Sequence, residues 1–199
     1  QPKLVEKSGG GVWRLTGRVV LPECQCLDRA VELLGEDYPA LAAAEKVHGG
    51  EAGDGDLVVC VGRAETLEGK NTFGEGFVVE AGPAAVLTAQ SERAAVYGLR
   101  TVFESGELAY GVTADWPSTN ERGLHLDAGR KHYTQQWIME QVKDLSRNRM
   151  NVLWLHFSEN EGFRIDSERH PEVPSRFFLT KDEVREIIAL CNSLFVDIN

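Results

Sequence analysis

No uninterrupted apolar run approaches the roughly 20 residues that a helix needs to cross a bilayer, and the first residues lack the basic-then-apolar pattern of a signal peptide. The sequence is therefore read without membrane insertion. Basic residues are in deficit: 21 Lys and Arg stand against 31 Asp and Glu, a formal net charge of -10. Unless the basic residues cluster locally, that balance disfavours nucleic acid and anionic lipid as partners, whose phosphates it would repel. A neutral polar partner such as a sugar fits better. Cysteine is sparse, at Cys24, Cys26, Cys60 and Cys191. No second pair or spaced histidines follow Cys24-x-Cys26 at ligand spacing, so neither a metal site nor a disulfide framework is read. The four are expected to be ordinary buried thiols, no cofactor is assigned, and the compartment stays open.

What the sequence does have is 42% hydrophobic residues in 199, enough core for one domain or two small ones. "GVWRLTGRVVL" alternates Trp13, Leu15 and Val19 inward, which predicts an early strand behind the glycine-rich "SGGG". "CLDRAVELLGEDYPALAAAEKVH" has helical spacing interrupted at Gly35 and Pro39, giving two short helices or one broken one. "DLVVCVG" is a compact buried strand, and "GFVVEAG" with "AAVLTA" forms a hairpin turning at Gly82 and Pro83. "SERAAVYGLRTVFESGEL" predicts a helix capped by Ser91, with Val96, Leu99, Val102 and Phe103 on one face. Residues 1–115 therefore read as an α+β domain in which helices cover one face of a small sheet.

From "TADWPSTN" the texture changes to a turn-rich linker, and residues 116–199 then alternate strand, helix, strand, helix, strand. Such an order implies parallel strands joined by crossover helices. The strands are "GLHLDAG", "NVLWLHF" and "LFVDIN". The first helix has Thr134 as N-cap, a staple of Tyr133 and Ile138, and a stripe through Val142 and Leu145. The second opens on a capping box of Thr180 and Glu183 with a Leu179–Val184 staple, and buries Val184, Ile187, Ile188 and Cys191. A sequence that stops inside this pattern is expected to be part of a longer one, since a complete (β/α)8 barrel takes about 250 residues. In such folds ligands sit at the carboxyl ends of the strands, so His156 and the polar run to Glu161 fall where a substrate would be met. Arg122, at the start of its strand, falls at the opposite end by geometry alone.

The stretch "DWPSTNERGLHLDAGRKHYTQQWIMEQVKDLSRNRMNVLWLHFSENEGFRI" resembles the opening of the catalytic barrel of glycoside hydrolase family 20, the β-N-acetylhexosaminidases and lacto-N-biosidases. The matching residues are Arg122-Gly123, Asp127 to Arg130, Asn151 to His156 and Glu159 to Arg164, with "AVYGLRTVFE" upstream similar to the helix that precedes the barrel. The resemblance implies a truncated start of a (β/α)8 barrel behind an accessory domain. It implies an exo-acting hydrolase that releases terminal N-acetylhexosamine, or a disaccharide containing it. In that family the sugar's own acetamido oxygen attacks the anomeric carbon, so no enzyme nucleophile is needed. The Asp-Glu pair that serves this reaction is expected after residue 199, leaving these residues inactive alone. The implied partner is a glycan ending in N-acetylhexosamine, and the implied location is secreted or cell-surface.

The resemblance assigns substrate binding to three residues: Arg122, matched to an arginine that grips sugar hydroxyls, and His156 and Glu159, matched to the polar wall of the pocket. Asn160 stands where the family often has a second aspartate. Asp127, Arg130 and Arg164 are read as ion pairs that brace the barrel, and Asp197 and Asn199 loosely match the acidic positions of the third strand. "HGGE" at 48–51 superficially resembles the family's acid motif but lies in the wrong order. "GDGD" at 53–56 lacks the further oxygen ligands of a calcium loop and reads as a flexible turn. Trp116 reads as a linker anchor rather than a sugar platform. The rival to the enzyme is a carbohydrate-binding or assembly module on the same scaffold.

Overall fold

The computed structural model describes residues 2–199, and the chain divides into two compact units, residues 1–120 and 121–199. In the first unit the elements run β1 (Leu4–Trp13), β2 (Val19–Leu21), α1 (Asp28–Gly35), α2 (Pro39–Ala43), β3 (Lys46–His48), β4 (Leu57–Val61), a 3-10 turn (Glu65–Leu67), β5 (Phe77–Ala81), β6 (Ala85–Ala89), α3 (Glu92–Ser105) and β7 (Leu108–Asp115). They build one seven-stranded mixed sheet in the order β1-β7-β5-β6-β4-β2-β3. Strands β3, β2, β4 and β6 are parallel, while β5, β7 and β1 continue antiparallel from the β5–β6 hairpin.

Local chemistry explains most of these elements. Ser91 caps α3 by accepting from the Ala94 amide at 3.2 Å, and Val96, Leu99 and Val102 are buried. Gly98 lets the helix lie close on the sheet, since a Cβ there would sit 2.4 Å from Leu87 Cδ1. Arg100 on the same helix is fully buried and pairs with Asp37 at 3.0 Å, which is how an interior charge is tolerated. On the opposite face of the sheet Ala64, Leu67, Val78 and Ala114 form a small cluster, with Leu4, Val112 and Trp116 against it. Helices therefore cover one face, as expected, and the other is closed by the 3-10 turn and by Trp116, whose packing is that of an anchor.

Several expectations are corrected. "GVWRLTGRVVL" is not one strand: it breaks after Trp13, and "SGGG" lies inside β1, where the register with β7 shifts between Lys7 and Val12. Residues 46–48 form an edge strand rather than the end of a helix. β7 runs to Asp115, so the turn-rich segment starts later than its composition suggests. The "GDGD" turn is tied down, because buried Asp56 accepts from the backbone amides of Arg18 (2.6 Å) and Gly53 (2.9 Å) and pairs with the Arg18 guanidinium at 2.7 Å. Cys24 and Cys26 are disulfide-bonded to each other, Cys60 is exposed and Cys191 is buried, so only Cys191 is the buried thiol expected.

The second unit comprises β8 (Gly123–Asp127), α4 (Gln135–Arg147), β9 (Val152–His156), β10 (Ser158–Glu159), β11 (Gly162–Phe163), α5 (Lys181–Ser193) and β12 (Asp197–Ile198). Strands β8, β9 and β12 are parallel with β9 central, as the alternation of elements predicts. One face of this sheet, carrying Leu126, Leu153 and Leu155, is buried with Ile138, Val142 and Leu145 of α4 and Ile187, Leu190 and Cys191 of α5. Thr180 and Glu183 form the capping box predicted for α5. Ile188 is exposed, and Leu190 takes the buried place assigned to it. Tyr133, expected to staple the helix start, stacks on Trp137 with ring centroids 4.5 Å apart. Among the described residues no helix is long and apolar enough to cross a membrane.

Candidate active site at the carboxyl ends of the parallel strands

Because side chains alternate along a strand, the face opposite Leu126, Leu153 and Leu155 carries His125 and Asp127 of β8, Trp154 and His156 of β9, and Asn199 beyond β12. Pairing of His125 with Trp154 and of Asp127 with His156 sets these side chains level with one another. Asn199 joins the same row, because its carbonyl accepts from the Leu155 amide at 2.8 Å and its own amide donates to Leu153 at 3.0 Å. His125, Trp154, Leu155, His156 and Asn199 line a cavity of about 230 Å³. The His125 and His156 rings meet edge to face, 5.7 Å apart.

Beyond His156 the chain folds back as the β10–β11 hairpin, with Asn160 and Glu161 at its tip. The hairpin returns Glu159 toward the strand end: Glu159 Oε1 lies 3.6 Å from His156 Nε2 and 3.7 Å from Arg130 Nη2. Arg130 also reaches Asp127, through its backbone amide at 3.0 Å and its Nε at 3.5 Å. Its side chain remains 61% exposed. The result is a run Asp127–Arg130–Glu159–His156 across the carboxyl ends of two adjacent strands. Gly129 makes the approach possible, since a Cβ there would lie 2.7 Å from the Glu159 backbone nitrogen.

The structure thus brings His156 and Glu159 together and leaves Arg122 apart. Arg122 sits before β8, where its carbonyl accepts from the Asn151 amide and its Nε donates to the Arg149 carbonyl at 2.9 Å. That places its Nε at the amino end of the strands, away from the His156–Glu159 pair. Arg130, read from the sequence as a brace, takes the exposed position in the cluster. Arg164 braces differently from expectation, donating Nη1 to the Phe177 carbonyl at 3.0 Å rather than forming the expected ion pair. His125, which the alternation in "GLHLD" puts on the face of Asp127, joins the cavity wall without having been singled out by any motif. The adjacent acids Asp182 and Glu183 lie in the first turn of α5, where Glu183 is committed to the cap. Among the described residues no group of three or more His, Cys, Asp or Glu is placed to hold a metal ion.

The chain thus combines an α+β unit with parallel strands that carry a polar cluster at their carboxyl ends, the end at which α/β folds bind ligands. The comparisons are specific. Residues 120–198 match the family model described as glycosyl hydrolase family 20, catalytic domain. The beta-hexosaminidase of Akkermansia muciniphila is 25% identical over 126 residues, covering 52% of this chain and 26% of that protein. Beta-hexosaminidase A of Caenorhabditis briggsae is 28% identical over 81 residues, 38% of this chain and 15% of that protein. Among solved structures, the β-N-acetylhexosaminidase of Bacteroides fragilis superposes with a TM-score of 0.79 at 19% identity, over 99% of this chain and 43% of that one. A mutant Streptomyces plicatus β-hexosaminidase in complex with its product GlcNAc gives 0.81 at 19%, over 99% and 44%. The chain spans less than half the length of each of these proteins.

Proposed function

We propose that these residues belong to an exo-acting glycoside hydrolase that removes terminal N-acetylhexosamine from glycans, and that residues 116–199 open its (β/α)8 barrel behind an accessory α+β domain. The observation that carries this reading is the run Asp127–Arg130–Glu159–His156 at the carboxyl ends of β8 and β9, beside a cavity of about 230 Å³. The match over residues 120–198 supports it, and so does the GlcNAc held by the Streptomyces plicatus relative.

In this reading Arg130 grips hydroxyls of the terminal sugar. A guanidinium presents several N–H donors in a fixed plane, and the flanking carboxylates of Asp127 and Glu159 hold that plane in place. Glu159 and His156 then accept from, or donate to, the remaining hydroxyls. The acetamido oxygen of the substrate attacks the anomeric carbon, an Asp steadies the acetamido group and a neighbouring Glu protonates the leaving oxygen. That pair is proposed to come from a strand following residue 199. A second reading, sugar binding without hydrolysis, draws on Asn160, which stands where the family often has a second aspartate.

The test is hydrolysis of a chromogenic β-N-acetylglucosaminide by the 199 residues and by the full-length protein. Release by the full-length protein alone is the expected result. Release by the 199 residues overturns the placement of the acid, and release by neither favours the binding module.

A further inference from the structure

The first unit carries a disulfide that the proposed reaction does not use. Cys24 and Cys26 are bridged across a single residue, in the loop that joins β2 to α1 at the carboxyl end of β2. Closing so short a loop removes little chain entropy from the unfolded state, so the bridge adds little to stability. The loop is also folded without it: the Gln25 amide donates to the Pro22 carbonyl at 3.3 Å, and the Asp28 amide to the Gln25 carbonyl at 3.2 Å. Cys24 is exposed and Cys26 half-buried, so a thiol in solution reaches Cys24. Between them Gln25 is held at φ 56°, a left-handed conformation that a side chain disfavours, and opening the bridge frees it.

We propose that Cys24–Cys26 is an exchange site for small thiols, a role separate from sugar hydrolysis. A thiolate attacks the exposed Cys24 sulfur, the Cys24–Cys26 bond breaks, and Cys26 leaves as a thiolate. A second thiolate attacks the sulfur now attached to Cys24, departs with it as a small disulfide, and frees Cys24 as a thiolate. The bridge gains the two electrons that the two thiols lose, and its sulfurs take up the two protons that those thiols gave up. The fold favours Cys26 as the leaving group: it directly precedes Leu27, the N-cap of α1, and no side chain caps that helix end. The nearby Asp28 carboxylate, which would oppose a thiolate there, is engaged by His48 Nε2 at 2.8 Å. The body of the thiol also needs room. A cavity of about 310 Å³ is lined by Leu21 and Asp28, which bound the loop, and by Lys46 and His48 of the adjoining β3.

The experiment equilibrates the full-length protein, with Cys60→Ser removing the exposed free thiol, against a series of reduced-to-oxidised glutathione ratios. N-ethylmaleimide then traps free thiols in the native protein, peptide mass analysis reads each cysteine, and circular dichroism follows the fold. The expected result is a bridge that opens as the reduced share rises and closes again on adding oxidised glutathione, with the fold unchanged. Its opening should be about tenfold or more faster than labelling of buried Cys191, which reports unfolding. Cys26→Ser should hold glutathione on Cys24 as a mixed disulfide. The titration needs no substitution at the bridge, so it decides the matter even where Cys26→Ser fails to fold. A bridge closed at every ratio, or one that opens only in step with Cys191, overturns the exchange site. Loss of the fold on reduction assigns the bridge a structural role and overturns it as well.

Discussion

The guanidinium of Arg130 lies 3.7 Å from Glu159 Oε1, joining the loop after one parallel strand to the hairpin after the next. Twenty-odd residues of helix and strand separate the two loops in sequence, and only the β8–β9 register brings them level. The half-exposed pair contributes little to stability on its own, since surface ion pairs are worth roughly 0–1 kcal/mol. Its value is positional: it fixes a guanidinium at the carboxyl ends of two adjacent strands.

Arg130 and Arg122 can be separated by substitution. Arg130→Ala should lower kcat/KM for a terminal N-acetylhexosaminide about tenfold to a hundredfold, the size expected for losing hydrogen bonds to a charged group. Arg122→Ala should instead lower the melting temperature, because it removes the donor to the Arg149 carbonyl. Steady-state kinetics and thermal unfolding of both variants check this. The reverse pattern would return the sugar contact to Arg122.

Gly129→Ala should impair activity by displacing Glu159. A Cβ placed 2.7 Å from the Glu159 nitrogen and 2.9 Å from its Cβ meets backbone on one side, so the strain is not relieved by a rotamer change. Overpacking of this kind costs about 1–3 kcal/mol. The loss should fall on substrate affinity at temperatures well below unfolding, measured as a rise in KM.

The four cysteines should differ in reactivity. Burial pushes the Cys191 thiol up to about 12, whereas Cys60 is exposed and free. Alkylation at pH 8 without reductant should therefore label Cys60 alone in the native chain. Denaturation adds Cys191, and reduction adds Cys24 and Cys26. Peptide mass analysis after each step is the check, and native labelling of Cys191 would contradict its burial.

Acid should weaken the first unit partly through Asp56. Hydrogen bonds from the Arg18 side chain, then from the backbone amides of Arg18 and Gly53, hold its carboxyl well below the usual carboxylate range. A depressed folded-state value stabilises fully above the unfolded value of about 4, and that contribution fades as pH falls through the folded one. Denaturant titrations below pH 4 should show stability declining with acid. Asp56→Asn should be less stable at neutral pH and flatter in its pH dependence.

The sequence by itself determined the elements with strong local signals. Ser91, Thr134 and the Thr180–Glu183 box mark where α3, α4 and α5 begin, because a cap is a hydrogen bond between near neighbours. Strand-helix alternation likewise gave the parallel order of β8, β9 and β12. Tertiary structure alone decided what depends on register and on distant approach. Glycines that read as a break proved to lie within a strand paired to β7, and a "flexible" turn is locked by Arg18 from a distant segment. The approach of Arg130 to Glu159 belongs to the same class: the two lie on loops that follow different strands, and only the parallel return of β9 alongside β8 brings them level.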